Sequence, residues 1–219
     1  METQWNQVYS TKGMARYPDN MLIRFVAKHY YDAPERKEVK FFDVGCGAGS
    51  STWYLAREGF SVVAIDWSAQ AMELLRLRLK FENLEALLGQ GDITKLDQLP
   101  LRPDFFDCVV DVSSLCYVPQ DKITSVMKSL HFSLKPGGRF FSIAPTAICP
   151  KDIFNNMIEG VEFNASFRTQ LEMVDLFKDF EDIKVSSYTY DVARDDEPQH
   201  VRLWVTTAQK GKDVQVLPE

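Results

Sequence analysis

The sequence predicts a doubly wound α/β fold, a mostly parallel sheet between helix layers that ends in an antiparallel hairpin. Three observations carry this reading. Apolar, β-branched runs alternate with helix-periodic segments between residues 39 and 144. Those runs are continuously rather than alternately apolar, as in strands covered on both faces. Beyond residue 180, two strand-like runs follow one another with no helix between them.

The elements follow in order. Val39–Val44 is a buried-type strand that delivers the chain to the turn Gly45-Cys-Gly47-Ala-Gly49. Ser50 and Ser51 stand where they can cap the next helix, Thr52–Glu58, which Gly59 stops. Ser61–Asp66, SVVAID, is the second strand, and Ala69–Phe81 has helical spacing through Met72, Leu75 and Leu79. Leu84–Leu88 and Phe106–Val112 are the third and fourth strands. A helix over about 121–134 leads to Pro136-Gly137-Gly138, a turn signal before the fifth strand, Arg139–Ala144. Thr169–Phe180 reads as helix, and Ile183–Val192 and Val201–Ala208 read as the hairpin strands flanking the polar ARDDEPQ.

At 219 residues the chain fits one domain with a full core, and 45% hydrophobic with 26% charged residues is ordinary globular composition. Within it, 34–145 is the ligand-binding core and 169–210 the carboxyl-terminal helix and hairpin. Segments 1–33 and 146–168 fall outside the α/β rhythm. Additions beyond the carboxyl ends of parallel strands sit over the ligand crevice, so both are expected to be lids.

A net charge of −6 disfavours nucleic acid as a partner. No apolar stretch approaches the ~20 residues that span a membrane, so no membrane partner is expected. The amino terminus lacks secretory features, which makes the cytoplasm the expected compartment. Cys46, Cys108, Cys116 and Cys149 show no paired spacing and read as small buried thiols. No oligomeric state follows from the sequence.

The candidate site begins at the glycine turn. Glycine permits positive φ and lets a ligand approach the backbone, and the helix start beyond offers free N–H groups. Asp43, two places before Gly45, would repel a pyrophosphate but suits a ligand carrying positive charge. Asp66 closes the second strand, where a carboxylate can accept both ribose hydroxyls, and Trp67 stands where it can cover an adenine face. Gly91-Asp92-Ile93 follows the third strand.

Asp43-Val-Gly45-Cys-Gly47-Ala-Gly49 resembles motif I of the class I S-adenosylmethionine-dependent methyltransferases, D/E-x-G-x-G-x-G. DFFDCVVDVSSLCYV at Asp104–Val118 resembles their motif IV, and LKPGGRFF at Leu134–Phe141 their post-helix signature. The match runs in order from Lys40 to Ala144 and is most similar to the "methyltransferase type 11" group. The resemblance implies a Rossmann-like fold whose last strand runs against the others. It also implies S-adenosyl-L-methionine as cofactor, with S-adenosyl-L-homocysteine as product.

On that reading Asp43, Gly45, Gly47, Gly49, Asp66, Trp67, Asp92, Ile93, Asp111 and Tyr17 bind the cofactor, Asp92 holding the adenine amino group and Ile93 its ring. The amino-terminal aromatics Trp5, Tyr9 and Tyr17 are candidates to close over it. Asp111 and Tyr117 are the candidate bases for an acceptor hydroxyl. The DVSS that ends the fourth strand departs from the N/D-P-P-Y/F of relatives that methylate amino groups. There is no Asp-Asn pair like that of magnesium-dependent relatives, so no metal is expected. The expected reaction is in-line methyl transfer to a small-molecule acceptor at oxygen, the acceptor being a metabolite, sugar or natural-product intermediate. Two alternatives share the glycine turn, a catalytically silent cofactor-binding partner or regulatory subunit and a nicotinamide-dependent reductase. The reductase requires wider glycine spacing and, in its short-chain form, Tyr-x-x-x-Lys, a pattern absent here.

Overall fold

The computed structural model describes residues 2–11, 15–155, 161–194 and 197–212. Residues 1, 12–14 and 156–160 of the two segments read as lids, and 195–196 of the polar connector, lie outside the described residues.

Helices α1 (Glu2–Thr11) and α2 (Asn20–Tyr30) precede strand β1 (Lys40–Val44). Then come α3 (Ser50–Arg57), β2 (Ser61–Asp66), α4 (Ala69–Phe81), β3 (Leu87–Gln90), β4 (Phe106–Val112), α5 (Ile123–Ser133) and β5 (Leu134–Pro145). The chain continues through α6 (Lys151–Asn155), α7 (Gln170–Leu176), β6 (Glu181–Arg194) and β7 (Glu197–Gln209). The seven strands form one sheet in the order β3-β2-β1-β4-β5-β7-β6. β1 to β5 are mutually parallel, and β7 runs antiparallel to both β5 and β6. The Rossmann-like sheet and its terminal hairpin are therefore as the sequence predicts.

Continuous hydrophobicity is explained by the two helix layers. Neighbouring residues of a strand face opposite sides: Phe41 belongs to the core cluster that includes α1, α2 and α3 residues, and Phe42 to the one that includes α5 and α7 residues. Because β1, β2 and β4 are parallel, their carboxyl ends meet at one edge: Val44 pairs with Ile65 on one side and Asp111 on the other. The chain leaves β1 outward to β2 and β3, then returns to β4, which makes the β1/β4 boundary the switch point where such sheets bind ligands.

Several boundaries depart from the sequence reading. Pro136-Gly137-Gly138 does not turn the chain before β5; it lies within β5 as a bulge, where the register with β4 jumps from Phe106↔Leu134 to Cys108↔Arg139. The backbone of Gly137 and Gly138 instead bonds Lys210 at the end of β7. The hairpin strands extend into ARDDEPQ from both sides, pairing as far as Arg194↔Glu197, because backbone ladder bonds do not require apolar side chains. β3 starts three residues later than read from the apolar run, and α7 stops four residues earlier.

α3 also starts differently. Its N-cap is Gly49 at φ 82°, with no side-chain cap, so Ser50 and Ser51 are helical residues rather than caps. The first turn of α3 thus keeps free N–H groups beside the glycine turn. By contrast, Ser68 caps α4 and Thr169 caps α7 with their side chains. The four cysteines are buried and free.

Candidate active site

The glycine turn is built around its neighbours. Gly45, Gly47 and Gly49 all have positive φ, and the N–H groups of Gly45 and Cys46 both donate to Ile65 O. A Cβ on Gly45 would collide with the Ser114 side chain, and one on Gly47 with the Tyr9 hydroxyl. Glycine is needed at these two positions for conformation and for space.

Asp66, at the end of β2, reaches across this turn. Its Oδ2 accepts the Gly47 N–H at 2.9 Å and its Oδ1 accepts the Ser68 N–H at 2.8 Å. Burial raises its pKa, and those N–H bonds oppose the rise. Beside it, a cavity of about 260 Å³ opens along the carboxyl ends of β1, β2 and β4. Gly45, Asp66, Trp67 and Ile93 line one end, and Val112, Ser113 and Ser114 form the floor. Tyr9 of α1 stands over the glycine turn, and Trp5 of α1, Tyr117 after β4, Phe154 of α6 and Tyr190 of β6 complete the lining at the other end.

That second end is an aromatic box. Trp5 meets Tyr117 edge-on at 5.0 Å between ring centroids and Phe163 at 4.9 Å. Two hydrogen bonds anchor α1 over the site: Asn6 Oδ1 accepts the Ser68 hydroxyl at 2.7 Å and the Gln70 N–H at 3.3 Å. Tyr117 donates its hydroxyl to Phe154 O at 3.0 Å, tying the post-β4 loop to α6.

The predicted residues fall into three groups. Gly45, Asp66, Trp67, Ile93 and Tyr117 line the cavity. Asp43, Gly47, Gly49 and Asp92 lie just behind it. Asp43 is buried and its Oδ2 accepts the Thr52 hydroxyl at 2.6 Å. Loss of solvation, with Asp66 and Asp111 nearby, lifts its pKa to about 7 against the pull of the Thr52 bond. Asp92 Oδ1 accepts the Thr94 N–H at 2.9 Å and the Thr94 hydroxyl at 2.8 Å, which fixes the turn that carries Ile93.

Asp111 and Tyr17 form the third group and do not line the cavity. Asp111 is fully buried and accepts from the Ser114 and Leu115 N–H groups, the Ser114 hydroxyl and the Ser142 hydroxyl. Its carboxylate is consumed in holding the loop after β4 and has no face on the cavity. Tyr17 is 65% exposed and leans edge-on against Trp53, away from the cavity, and Tyr9 stands over the turn instead. None of the histidines lines the cavity: His29 packs on Phe25, His131 on Phe180, and His200 pairs with Asp191 at the surface.

Sequence reasoning missed Asn6, Ser114, Phe154 and Tyr190. Each reaches the site from a different element, and no spacing in the chain announces that convergence. Trp5 and Tyr9 carry a faint signal, two aromatics four residues apart on one helical face.

Among the cavity-lining residues, Asp66 is the sole carboxylate, and there is no histidine, lysine or arginine. The Tyr117 hydroxyl donates to Phe154 O, and burial raises its pKa. No helix of the described residues is long and apolar enough to cross a membrane.

Residues 41–138 match a family model described as a methyltransferase domain. The chain is 32% identical over 109 residues to an 18S rRNA (guanine-N(7))-methyltransferase of Schizosaccharomyces pombe, a match covering 44% of this chain and 38% of that one. It is 30% identical over 124 residues to a ubiquinone biosynthesis O-methyltransferase of Aeromonas salmonicida, covering 57% and 50% respectively. These matches therefore span half or less of the relatives' lengths. In fold it is similar to an S-adenosylmethionine-dependent methyltransferase of Methanosarcina mazei, with TM-score 0.68, 19% identity, and coverage of 90% of this chain and 100% of that one. Residues 41–138, which carry the glycine turn, Asp66 and strands β2 to β4, are thus the part of the chain that is similar to a methyltransferase domain.

Proposed function

We propose that the chain transfers a methyl group from S-adenosylmethionine to the oxygen of a small, apolar-faced acceptor. The supporting observation is one cavity lined both by Asp66 and Gly45 of the glycine turn and by the aromatic side chains of Trp5, Tyr117, Phe154 and Tyr190, with no second charged side chain.

The lining around Asp66 fits the cofactor. Asp66 uses one acceptor site on each oxygen for the backbone and keeps lone pairs for ribose hydroxyls. Trp67 and Ile93 offer apolar faces for the adenine, and Asp92 Oδ2, with no hydrogen bond among the described residues, can accept its amino group. The open N–H groups of α3 suit the cofactor's carboxylate and Asp43 its ammonium. When bound, the cofactor supplies an electrophilic methyl on a sulfonium.

What the chain's own residues add is alignment and exclusion of water. Trp5, Tyr117, Phe154 and Tyr190 hold an apolar acceptor against the floor at Ser113, and such positioning is worth up to about 7–11 kcal/mol. Because the wall carries no free base, the acceptor oxygen must ionise by itself. A phenol-like or similarly acidic hydroxyl meets that demand, and an ordinary alcohol does not. In this reading the segments 1–33 and 146–168 are the acceptor walls, since α1 and α6 supply the aromatic end. The absence of lysine and arginine from the wall favours a small molecule over RNA.

Calorimetry with S-adenosylmethionine and with NAD, followed by release of S-adenosylhomocysteine against phenolic and alcoholic acceptors, tests the proposal. Binding of the former alone and turnover of phenols support it. Failure to bind S-adenosylmethionine sinks it, and binding without turnover on any acceptor leaves a silent binding protein.

A further inference from the structure

Helix α4 carries apolar residues on its outer side as well as its inner one. Ala71, Met72, Leu75 and Leu79 are buried against the sheet, as a surface helix requires. Yet Leu74, Leu77 and Phe81 are 36%, 54% and 87% exposed on the opposite face. Their spacing of three and then four places them on one stripe of the helix. An amphipathic surface helix carries polar residues there, and here Glu73, Arg76 and Lys80 stand beside an exposed apolar stripe.

The flanks of this stripe identify the cover. Glu73 and Lys80 are seven residues apart, so they lie on the same flank, almost symmetrically about Leu77. When two such helices pack antiparallel about a two-fold axis, like flanks meet. Glu73 of each copy then faces Lys80 of the other, twice in one interface, while Leu74, Leu77 and Phe81 interdigitate. Under parallel packing the same flanks would not meet. On the other flank, Arg78 is turned onto the Trp53 ring at 4.0 Å, which keeps a like-charged pair out of the seam. The intrachain Glu73–Arg76 pair at 2.6 Å is exposed and therefore weak competition. α4 is followed in the chain by β3, the edge strand of the sheet.

We propose that α4 is the interface of a two-fold symmetric dimer, in which Leu74, Leu77 and Phe81 form an antiparallel seam with the same residues of a second copy and Glu73 pairs with the second copy's Lys80. A single helix pair is a small interface, so the dimer forms with dissociation constants of about micromolar order.

Sedimentation equilibrium across a concentration series tests this on the full chain and four variants. The wild type dimerises, and Leu77→Glu is monomeric throughout. Glu73→Lys weakens association about tenfold, since two attractive pairs become repulsive. The exchange Glu73→Lys with Lys80→Glu restores affinity to within about threefold of wild type. Leu77→Cys cross-links across the two-fold axis on oxidation, without interference from the four buried native thiols. A wild type monomeric to about 100 μM, a dimer indifferent to Leu77→Glu, or a double exchange no better than Glu73→Lys alone would each overturn the proposal.

Discussion

The Asp66 carboxylate holds the Gly47 N–H at 2.9 Å, so the end of β2 and the glycine turn after β1 are fastened by one hydrogen bond. The acid that would take the ribose also fixes the loop that would take the rest of the cofactor. Asp66→Ala is expected to lower stability by roughly 2 kcal/mol, because two buried N–H groups lose their acceptor. It should weaken S-adenosylmethionine binding at least about tenfold. Thermal unfolding and calorimetry on the same sample separate the two effects, and unchanged affinity in a folded variant would move the ribose site elsewhere.

Gly47 and Tyr9 test the fit of α1 over the turn. Gly47→Ala places a methyl against the Tyr9 hydroxyl and asks alanine to hold a φ of +54°. The backbone part costs roughly 1–2 kcal/mol and the collision adds to it. Tyr9→Ala in the same chain should recover only the collision. Urea unfolding of the two single variants and the double variant gives the split; full recovery would show that the backbone is unstrained.

Asp43 makes stability pH-dependent. Burial lifts its folded pKa to about 7, above its unfolded value of 3.8. The contribution is therefore fully present below pH 3.8, falls as pH rises towards 7, and is flat above. Asp43→Asn removes this loss while still accepting the Thr52 hydroxyl. Its stability relative to wild type should climb between those limits, by up to about 4 kcal/mol. Denaturant unfolding at pH 4.5, 6 and 8 measures the difference, and a flat difference would place the pKa elsewhere.

A wall without a base predicts the kinetics of Asp111 and Tyr117. Asp111→Asn should unfold at lower temperature, since several donors converge on that carboxylate. Tyr117→Phe should lose about 1 kcal/mol with its bond to Phe154 O. Neither should shift the pH at which kcat/KM rises, which ought to follow the acceptor's own pKa across a series of substituted phenols. A profile that ignores the acceptor and moves with either variant would restore that residue as the base.

Much of this was legible in the chain. Strands such as Phe41-Phe42 and SVVAID are buried on both faces and so carry an unbroken apolar signal. Gly47 and Asp66 were readable because a turn with positive φ and an acid at a strand end are local demands. The bulge at Gly137 was not readable, because proline and glycine signal an irregular backbone without saying whether it lies beside a strand or inside one. Asp111 was only half readable for a related reason: its place at the end of β4 is set by the chain, but whether its carboxylate faces a ligand or Ser114 depends on the loop that folds back over it.

By itself the sequence determined the order of elements, the parallel sheet, the glycine turn and the carboxylates at the strand ends. All of these follow from hydrophobic period and backbone chemistry within a few residues. The tertiary structure decided which groups share a cavity: that Tyr9 rather than Tyr17 covers the turn, and that Phe154 and Tyr190 join Trp5 in one aromatic box. These residues are far apart along the chain, and only packing of their elements on a common sheet brings them together. The face of α4 belongs to the same class. Leu77 reads from sequence as one more apolar helix residue, and only the fold shows it pointing outward.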